Sequence, residues 1–235
     1  MKSRIWELDV FRGICILGMV LFHLLYDLQH LFHLLPAGEL WLLDFVAEWG
    51  GVLFFLLSGI CVTLGSHPIR RGLTVLSCGL VVTAVTVLLK TLGWLPAIIH
   101  FGVLHCLGVC MLLWPAVRKM PAWLLLTAAV VLTGTGFWLN TLVLPIGRWL
   151  FPLGIRYSGF VSADYFPLLP FFGFFLLGSV LGKTLYRERK TLFPKIAPDR
   201  PWIRILSGVG RWSLPVYMLH QPVITGILTL LEVFL

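Results

Sequence analysis

The chain has 235 residues, of which 59% are hydrophobic and only 12% are charged. Soluble domains carry about 25% charged residues, so this chain has too few charges to cover a surface that faces water. Its net charge of +8 does not indicate nucleic acid, because the basic residues lie in short segments between long apolar stretches. The composition therefore predicts an all-α polytopic membrane protein that faces lipid over most of its surface.

Seven apolar stretches are each long enough to cross a bilayer as a helix, which takes about 20 residues. They cover approximately residues 9–31, 40–65, 72–93, 97–117, 121–140, 163–185 and 211–234. The segments between them contain prolines, glycines and charges that end helices. We therefore expect about seven transmembrane helices in a single domain that covers 1–235.

Two of the connecting segments are longer than simple turns. The stretch 145–159 contains prolines and glycines, and we expect a re-entrant or interfacial segment there, its backbone covered by protein or by a water-filled cavity. The stretch 186–204 is the longest polar segment and is rich in basic residues. It is too short to fold alone, so we expect a basic cytoplasmic loop.

The basic residues also predict which way the chain crosses the membrane. Lysine and arginine in short loops accumulate on the cytoplasmic side. With the N-terminus inside, seven crossings leave only Lys90, Arg148 and Arg156 of the 18 basic residues on the outer side. We therefore expect a cytoplasmic N-terminus and a C-terminus on the outer side.

Ionisable residues in the first apolar stretch are candidates for a functional site, because charge inside a membrane is costly. Arg12 and His23 share one face of the predicted helix and lie about 16 Å apart along its axis. Asp27 lies one turn beyond His23, so its carboxylate can orient the imidazole and stabilise its protonated form. This spacing suits an oriented general base. It also suits a buried polar pair that joins helices, and both interpretations stay open.

The other histidines fall into two groups. His105 and His220 lie in the middle of predicted helices beside glycine or proline, neighbours that permit close helix approach, and we expect both to line a cavity. His30 and His33 lie in or near the first outer loop, and His100 lies near the outer end of a helix. Solvated or structural roles are the simpler interpretation for these three. The cysteines show no paired CxxC spacing, so we expect no metal site.

Four separated blocks of the sequence resemble a known family. They read ELDVFRGICILGMVLFHLLYDL near the N-terminus, FGVLHCLG in the centre, YFPLLPFFGFFLLG further on and GRWSLPVYMLHQP near the C-terminus. In this order they cover nearly the whole chain and resemble a bacterial family related to the catalytic domain of heparan-α-glucosaminide N-acetyltransferase. The spacing of Arg12 and His23 is also similar to the arginine, ten residues, histidine motif of the acyltransferase-3 membrane enzymes.

The resemblance implies a membrane-embedded acyltransferase of the bacterial inner membrane. Acetyl-CoA on the cytoplasmic side would donate its acetyl group to an amine or hydroxyl of a sugar or glycan on the outer side. Basic residues at the cytoplasmic mouth would attract the CoA phosphates, and those we expect are Arg12, Lys183, Arg187 and Arg211. The expected partners are membrane lipid, acetyl-CoA and the acceptor, with no nucleic acid, and a homo-oligomer is compatible with the sequence.

The resemblance also bears on the catalytic residues. With His23 as general base, the residues expected at the site are His23, Asp27, His105 and His220. In the lysosomal heparan-α-glucosaminide N-acetyltransferase, which the four blocks resemble, the active histidine lies in the first lumenal loop, so the resemblance makes His33 or His30 the alternative base. A proton-coupled transporter that uses the same intramembrane groups is the alternative function. A membrane scaffold without catalytic activity is a third possibility.

Overall fold

The computed structural model describes residues 5–34, 41–144 and 148–234. Most of these residues lie in α-helices. The helices are α1 (Trp6–Tyr26), α2 (Trp41–Leu64), α3 (Pro68–Thr91), α4 (Val103–Val117), α5 (Ala122–Leu139), α6 (Leu168–Leu185), α7 (Pro201–Arg211) and α8 (Ser213–Phe234). A π-helical turn, Asp27–Leu31, extends α1, and two short strands, β1 (Val143–Leu144) and β2 (Arg156–Tyr157), lie between α5 and α6.

Each of the seven predicted apolar stretches contains a helix. Among the described residues, five helices are long and apolar enough to cross a membrane, and two shorter apolar helices, Trp49–Leu64 and Val103–Val117, accompany them. The chain is therefore an all-α polytopic membrane protein of about seven helices, as predicted. Helix α4 begins at Val103 and not at 97 as expected. Phe101 and Tyr165 form a β-bridge just before this helix, so the backbone that precedes α4 pairs with the backbone that precedes α6.

Helix α7 lies partly inside the segment that we expected to be a loop. It begins at Pro201, whose fixed φ suits the first position of a helix. Ile203 is buried, whereas Trp202 and Ile205 are exposed, and an amphipathic helix of this kind suits a membrane surface. The prediction of a continuous loop over 186–204 is thus wrong at its C-terminal end. Its prolines and charges concealed the helical spacing of the apolar residues.

The described residues form two compact units, and the first comprises those within Met1–Phe54 and Lys190–Leu235. In this unit α1 packs closely on α7. The contact depends on glycine, because a Cβ on Gly13 would collide with the carbonyl oxygen of Leu206. A buried carboxylate adds a second link: Glu7 is only 2% exposed and accepts a hydrogen bond from the Leu192 amide at 2.8 Å. The segment that precedes α7 is therefore fixed to the start of α1.

The second unit comprises Phe55–Arg189 and contains the end of α2 together with α3 to α6. Here α2 and α6 approach within backbone contact, since a Cβ on Gly59 would collide with the carbonyl oxygen of Phe175. Gly178 and Gly182 continue this interface on α6 with the small-residue spacing typical of membrane helix pairs. The prediction of a single domain over the whole chain stays a prediction.

The segment between α5 and α6 is only partly helical. Residues 145–147, part of the stretch expected to be re-entrant, lie outside the described residues, and the membrane position of 145–159 stays a prediction. Further along, the hydroxyl of Tyr165 donates to the Phe151 carbonyl oxygen at 2.7 Å. Burial raises the pKa of Tyr165 to about 12. The phenol therefore keeps its proton, and this hydrogen bond, to a higher pH than an exposed tyrosine does.

Candidate active site

Two histidines from opposite ends of the sequence meet in the first unit. His23 lies in the last turn of α1, and His220 lies in the first half of α8. Their ring centroids are 4.8 Å apart, and the ring planes are inclined by 72°. Both side chains are half-buried. The structure thus brings together the predicted base and one of the predicted cavity-lining histidines.

Backbone hydrogen bonds determine which nitrogen of each ring carries a proton. Nδ1 of His23 lies 2.9 Å from the carbonyl oxygen of Met19, and Nδ1 of His220 lies 2.6 Å from that of Tyr217. A carbonyl oxygen only accepts, so each Nδ1 donates, and each neutral ring keeps its lone pair on Nε2. The Nε2 atom of His220 is buried without a hydrogen-bond partner among the described residues. The site therefore contains a buried ring nitrogen with no partner among the described residues.

The hydrogen-bond partner of Asp27 belongs to α8. The Asp27 side chain is buried, at 4% exposed, and its Oδ2 accepts a hydrogen bond from Nε2 of Gln221 at 2.8 Å. The ring of His23 is oriented by the Met19 carbonyl. The role of Asp27 as the residue that orients His23 stays a prediction. Asp27 ties the end of α1 to the residue that follows His220.

Gln221 is a site residue that the sequence analysis missed. It is a polar side chain in an otherwise apolar helix, directly after His220, and that contrast was the available signal. Its partner belongs to the other end of the chain, 194 positions away. Spacing along one helix cannot show such a contact.

The alternative bases His30 and His33 lie in surroundings that differ from those of His23 and His220. Asp27 begins the π-helical turn that carries His30, and π-helical turns are frequent at functional sites. His30 stacks on the ring of Tyr26 at a centroid distance of 4.4 Å. His33 is exposed and adopts a positive φ of 52°. Neither ring has the buried, unpaired nitrogen that His220 has, and the catalytic assignment of His33 stays a prediction.

His105 lies in the second unit and has partners for both ring nitrogens. Nδ1 accepts a hydrogen bond from the Gly102 amide at 3.2 Å. This leaves the proton on Nε2, which lies 3.1 Å from the hydroxyl oxygen of Thr83 and donates to it. Gly79 of α3 permits the approach, because a Cβ there would crowd the ring. His105 therefore joins α3 to the start of α4, and its predicted role in a catalytic cavity stays a prediction.

The four cations expected to bind CoA differ in how far they are already engaged. The guanidinium of Arg12 forms an ion pair with Asp9 at 2.9 Å. The ammonium of Lys183 donates to the backbone carbonyls after α4 at 2.8 Å and 2.7 Å, where a cation complements the helix dipole. Arg211 donates to the Ser207 carbonyl, and Arg187 is exposed. Arg12 and Lys183 thus have structural roles that the sequence did not reveal.

Comparison with known families bears on the identity of this site. Residues 4–222 match the family described as heparan-alpha-glucosaminide N-acetyltransferase, catalytic. The chain belongs to this family. The matched range includes both His23 and His220, and it confirms the resemblance inferred from the four sequence blocks. No curated protein and no solved structure matches the chain.

Membership of the heparan-alpha-glucosaminide N-acetyltransferase family assigns the chain to a family of membrane acetyltransferases. Its apolar helices make it an integral membrane protein. The family assignment favours acetyl transfer over the transporter that the sequence left as an alternative. A pair of imidazoles with one free, buried Nε2 is a reasonable site for moving the proton that acyl transfer releases.

Proposed function

We propose that this protein transfers an acetyl group from acetyl-CoA to an amine or hydroxyl group of a sugar or glycan, and that His23 and His220 handle the proton. The observation that carries the proposal is the pair of rings 4.8 Å apart, each with its lone pair on Nε2, within a chain of the acetyltransferase family. The proposed topology follows the charge distribution: a cytoplasmic N-terminus in the bacterial inner membrane, with the donor inside and the acceptor outside.

The reaction needs one base and one acid in turn. The acceptor nitrogen or oxygen attacks the thioester carbonyl carbon, and His23 Nε2 takes the proton that the acceptor loses. A C–N or C–O bond forms, the C–S bond breaks, and coenzyme A leaves as a thiolate. The same proton then passes from the imidazole to the sulfur, which releases free coenzyme A.

The second imidazole supports this cycle. The ring of His220 lies beside that of His23, with the two centroids 4.8 Å apart. His220 can therefore accept the proton from His23 or share its charge. The bond between Asp27 and Gln221 holds the end of α1 and α8 together beside the two rings.

The test is acetyl transfer by the purified full chain, with radiolabelled acetyl-CoA as donor and glucosamine as acceptor. We expect His23→Ala to bind acetyl-CoA normally and to transfer about a hundred to ten thousandfold more slowly, the usual loss for a general base. His220→Ala should also slow transfer. His33→Ala is the matched control, because it removes an exposed imidazole from the same end of α1.

Two results would contradict the proposal in different ways. Near-normal transfer by His23→Ala together with loss of transfer in His33→Ala would move the base to the first loop. A wild-type chain that neither binds acetyl-CoA nor acetylates any sugar amine or hydroxyl would reject the acetyltransferase function. Mass spectrometry of envelope glycans from a deletion strain then provides an independent search for the acceptor.

A further inference from the structure

A groove of about 900 Å³ lies in the second unit, between the start of α3 and the end of α4. This volume is within the range of about 300–1,000 Å³ that is typical of ligand sites. The residues along the groove include Arg70, Leu73, Thr74, Ser77, Val81 and Arg118. The α3 members recur every three or four positions, so they form one stripe that runs about 16 Å along the axis. The two arginines lie at one end, where α3 begins and α4 ends.

The arginine end of the groove suits a phosphate group. Among the described residues, the guanidinium groups of Arg70 and Arg118 have neither an acidic partner nor a hydrogen bond. Guanidinium groups bind phosphate oxygens through paired, charge-assisted hydrogen bonds. Ile69 and Arg70 belong to the first turn of α3 and line the same end, and the amides of a first turn have no acceptor within the helix and favour an anion. Lys183 donates to the backbone carbonyl of Arg118 at 2.8 Å and so fixes the chain that carries this guanidinium.

The wall along α3 suits a hydrocarbon chain. Leu73 and Val81 are each 52% exposed, and Ser77, which lies between them on the stripe, is small and leaves room for a chain. The Thr74 hydroxyl donates to the Arg70 carbonyl oxygen at 3.0 Å, so its hydrogen-bonding need is met within the helix. Helix α3 is also one of the candidate membrane spans. The wall therefore extends from the charged end of a span into the part that faces lipid.

We propose that this groove binds one anionic phospholipid, with its phosphate at Arg70 and Arg118 and an acyl chain along α3. A phosphate joined to a long apolar chain matches both ends of the groove at once. Charge selects among the phospholipids. Phosphatidylethanolamine would place an ammonium group beside two guanidinium groups, which like-charge repulsion disfavours, whereas phosphatidylglycerol brings only the negative phosphate. The inference is independent of the proposed acetyl transfer, because that reaction uses neither arginine.

Protection of a thiol tests the groove without any substitution. Cys78 also lines the groove and is half-buried, and Cys15 of α1 is a reference thiol of similar exposure. The full chain is stripped of lipid in detergent micelles and alkylated with N-ethylmaleimide. We expect phosphatidylglycerol at ten times its dissociation constant to slow alkylation of Cys78 about tenfold, because the site is then open about a tenth of the time. Alkylation of Cys15 should not change.

Two other compounds identify which part of the lipid is recognised. At the same concentration, phosphatidylethanolamine should slow alkylation of Cys78 by no more than about twofold, which corresponds to a tenfold weaker affinity. Glycerol 3-phosphate, which has the phosphate but no acyl chain, should not slow it. Equal protection by phosphatidylethanolamine would mean that any lipid covers the wall, and equal protection by glycerol 3-phosphate would indicate a site for soluble phosphates. Either result, or no protection by phosphatidylglycerol, would overturn the proposal.

Matched charge variants test the arginines directly. Arg70→Gln and Arg118→Gln should each weaken phosphatidylglycerol binding about tenfold or more, the effect of losing one charge-assisted hydrogen bond. Both side chains are exposed, so we expect both variants to fold and to keep the thermal stability of the wild-type chain. Lys119→Gln is the control, because it removes the same charge from the neighbouring exposed position, which does not line the groove.

The lipid that stays bound is measured by native mass spectrometry of the full chain released from bilayers with equal amounts of phosphatidylglycerol and phosphatidylethanolamine. The wild-type chain and Lys119→Gln should each retain one phosphatidylglycerol molecule, and the two arginine variants should lose most of it. If the arginine variants retain as much as the wild-type chain, the groove assignment is wrong. If Lys119→Gln loses as much as they do, the lipid responds to the general charge of this surface and the groove is again not its site.

Discussion

The bond between Asp27 and Gln221 gives a measurable link between the two ends of the chain. Oδ2 of Asp27 accepts from Nε2 of Gln221 at 2.8 Å, and Asp27 is only 4% exposed. A hydrogen bond to a charged group contributes about 1.5–3 kcal/mol, and leaving a buried partner unpaired costs about 1–3 kcal/mol. We therefore expect Asp27→Ala and Gln221→Ala each to lower the free energy of unfolding by about 2 kcal/mol.

A double-mutant cycle isolates the pair from other effects of each substitution. The double variant should be much less unstable than the sum of the singles, with a coupling energy of about 1.5–3 kcal/mol. The free energy of unfolding is measured by reversible denaturation in mixed micelles. Acetyl transfer is measured on the same samples, and its rate should fall in both single variants because His220 directly precedes Gln221. Thr229→Ala, at an exposed position of α8, is the control. Coupling below about 0.5 kcal/mol would refute the reasoning.

Two further predictions concern the second unit. Gly59→Ala should destabilise the chain by about 1–3 kcal/mol, because the new Cβ would collide with the Phe175 carbonyl. Gly134→Ala is the control and should be neutral or slightly stabilising, because a Cβ there meets nothing within 4 Å. Equal thermal stability of the two variants would contradict this packing. The raised pKa of Tyr165, about 12 against an ordinary value of about 10, means that the folded state favours the neutral phenol. Its stabilising effect should be complete below about pH 10 and be lost as the pH approaches 12. Tyr165→Phe, which lacks the bond to Phe151, should show no such loss in denaturation measured across this range.

The helices and their membrane character follow from the sequence alone. Hydropathy over about 20 residues and the prolines or glycines between such stretches are local properties, so they predict α1, α2 and α5 closely. The family blocks are also local strings of residues, and they indicate the acetyltransferase family without any knowledge of tertiary contacts. Helix α7 was not predicted, because its apolar residues recur with helical spacing within a charged, proline-bearing segment.

The site, in contrast, depended on contacts between distant parts of the chain. The sequence identified His23, Asp27 and His220, but helix spacing paired Asp27 with His23, whereas the fold pairs it with Gln221, 194 positions away. The same holds for Arg12 and Lys183, which the sequence presents as free cations and the fold engages with a carboxylate and with backbone carbonyls. Periodicity determines which face of a helix a side chain occupies, but the partner on that face is set by how the helices pack, and this information is not contained in any one segment.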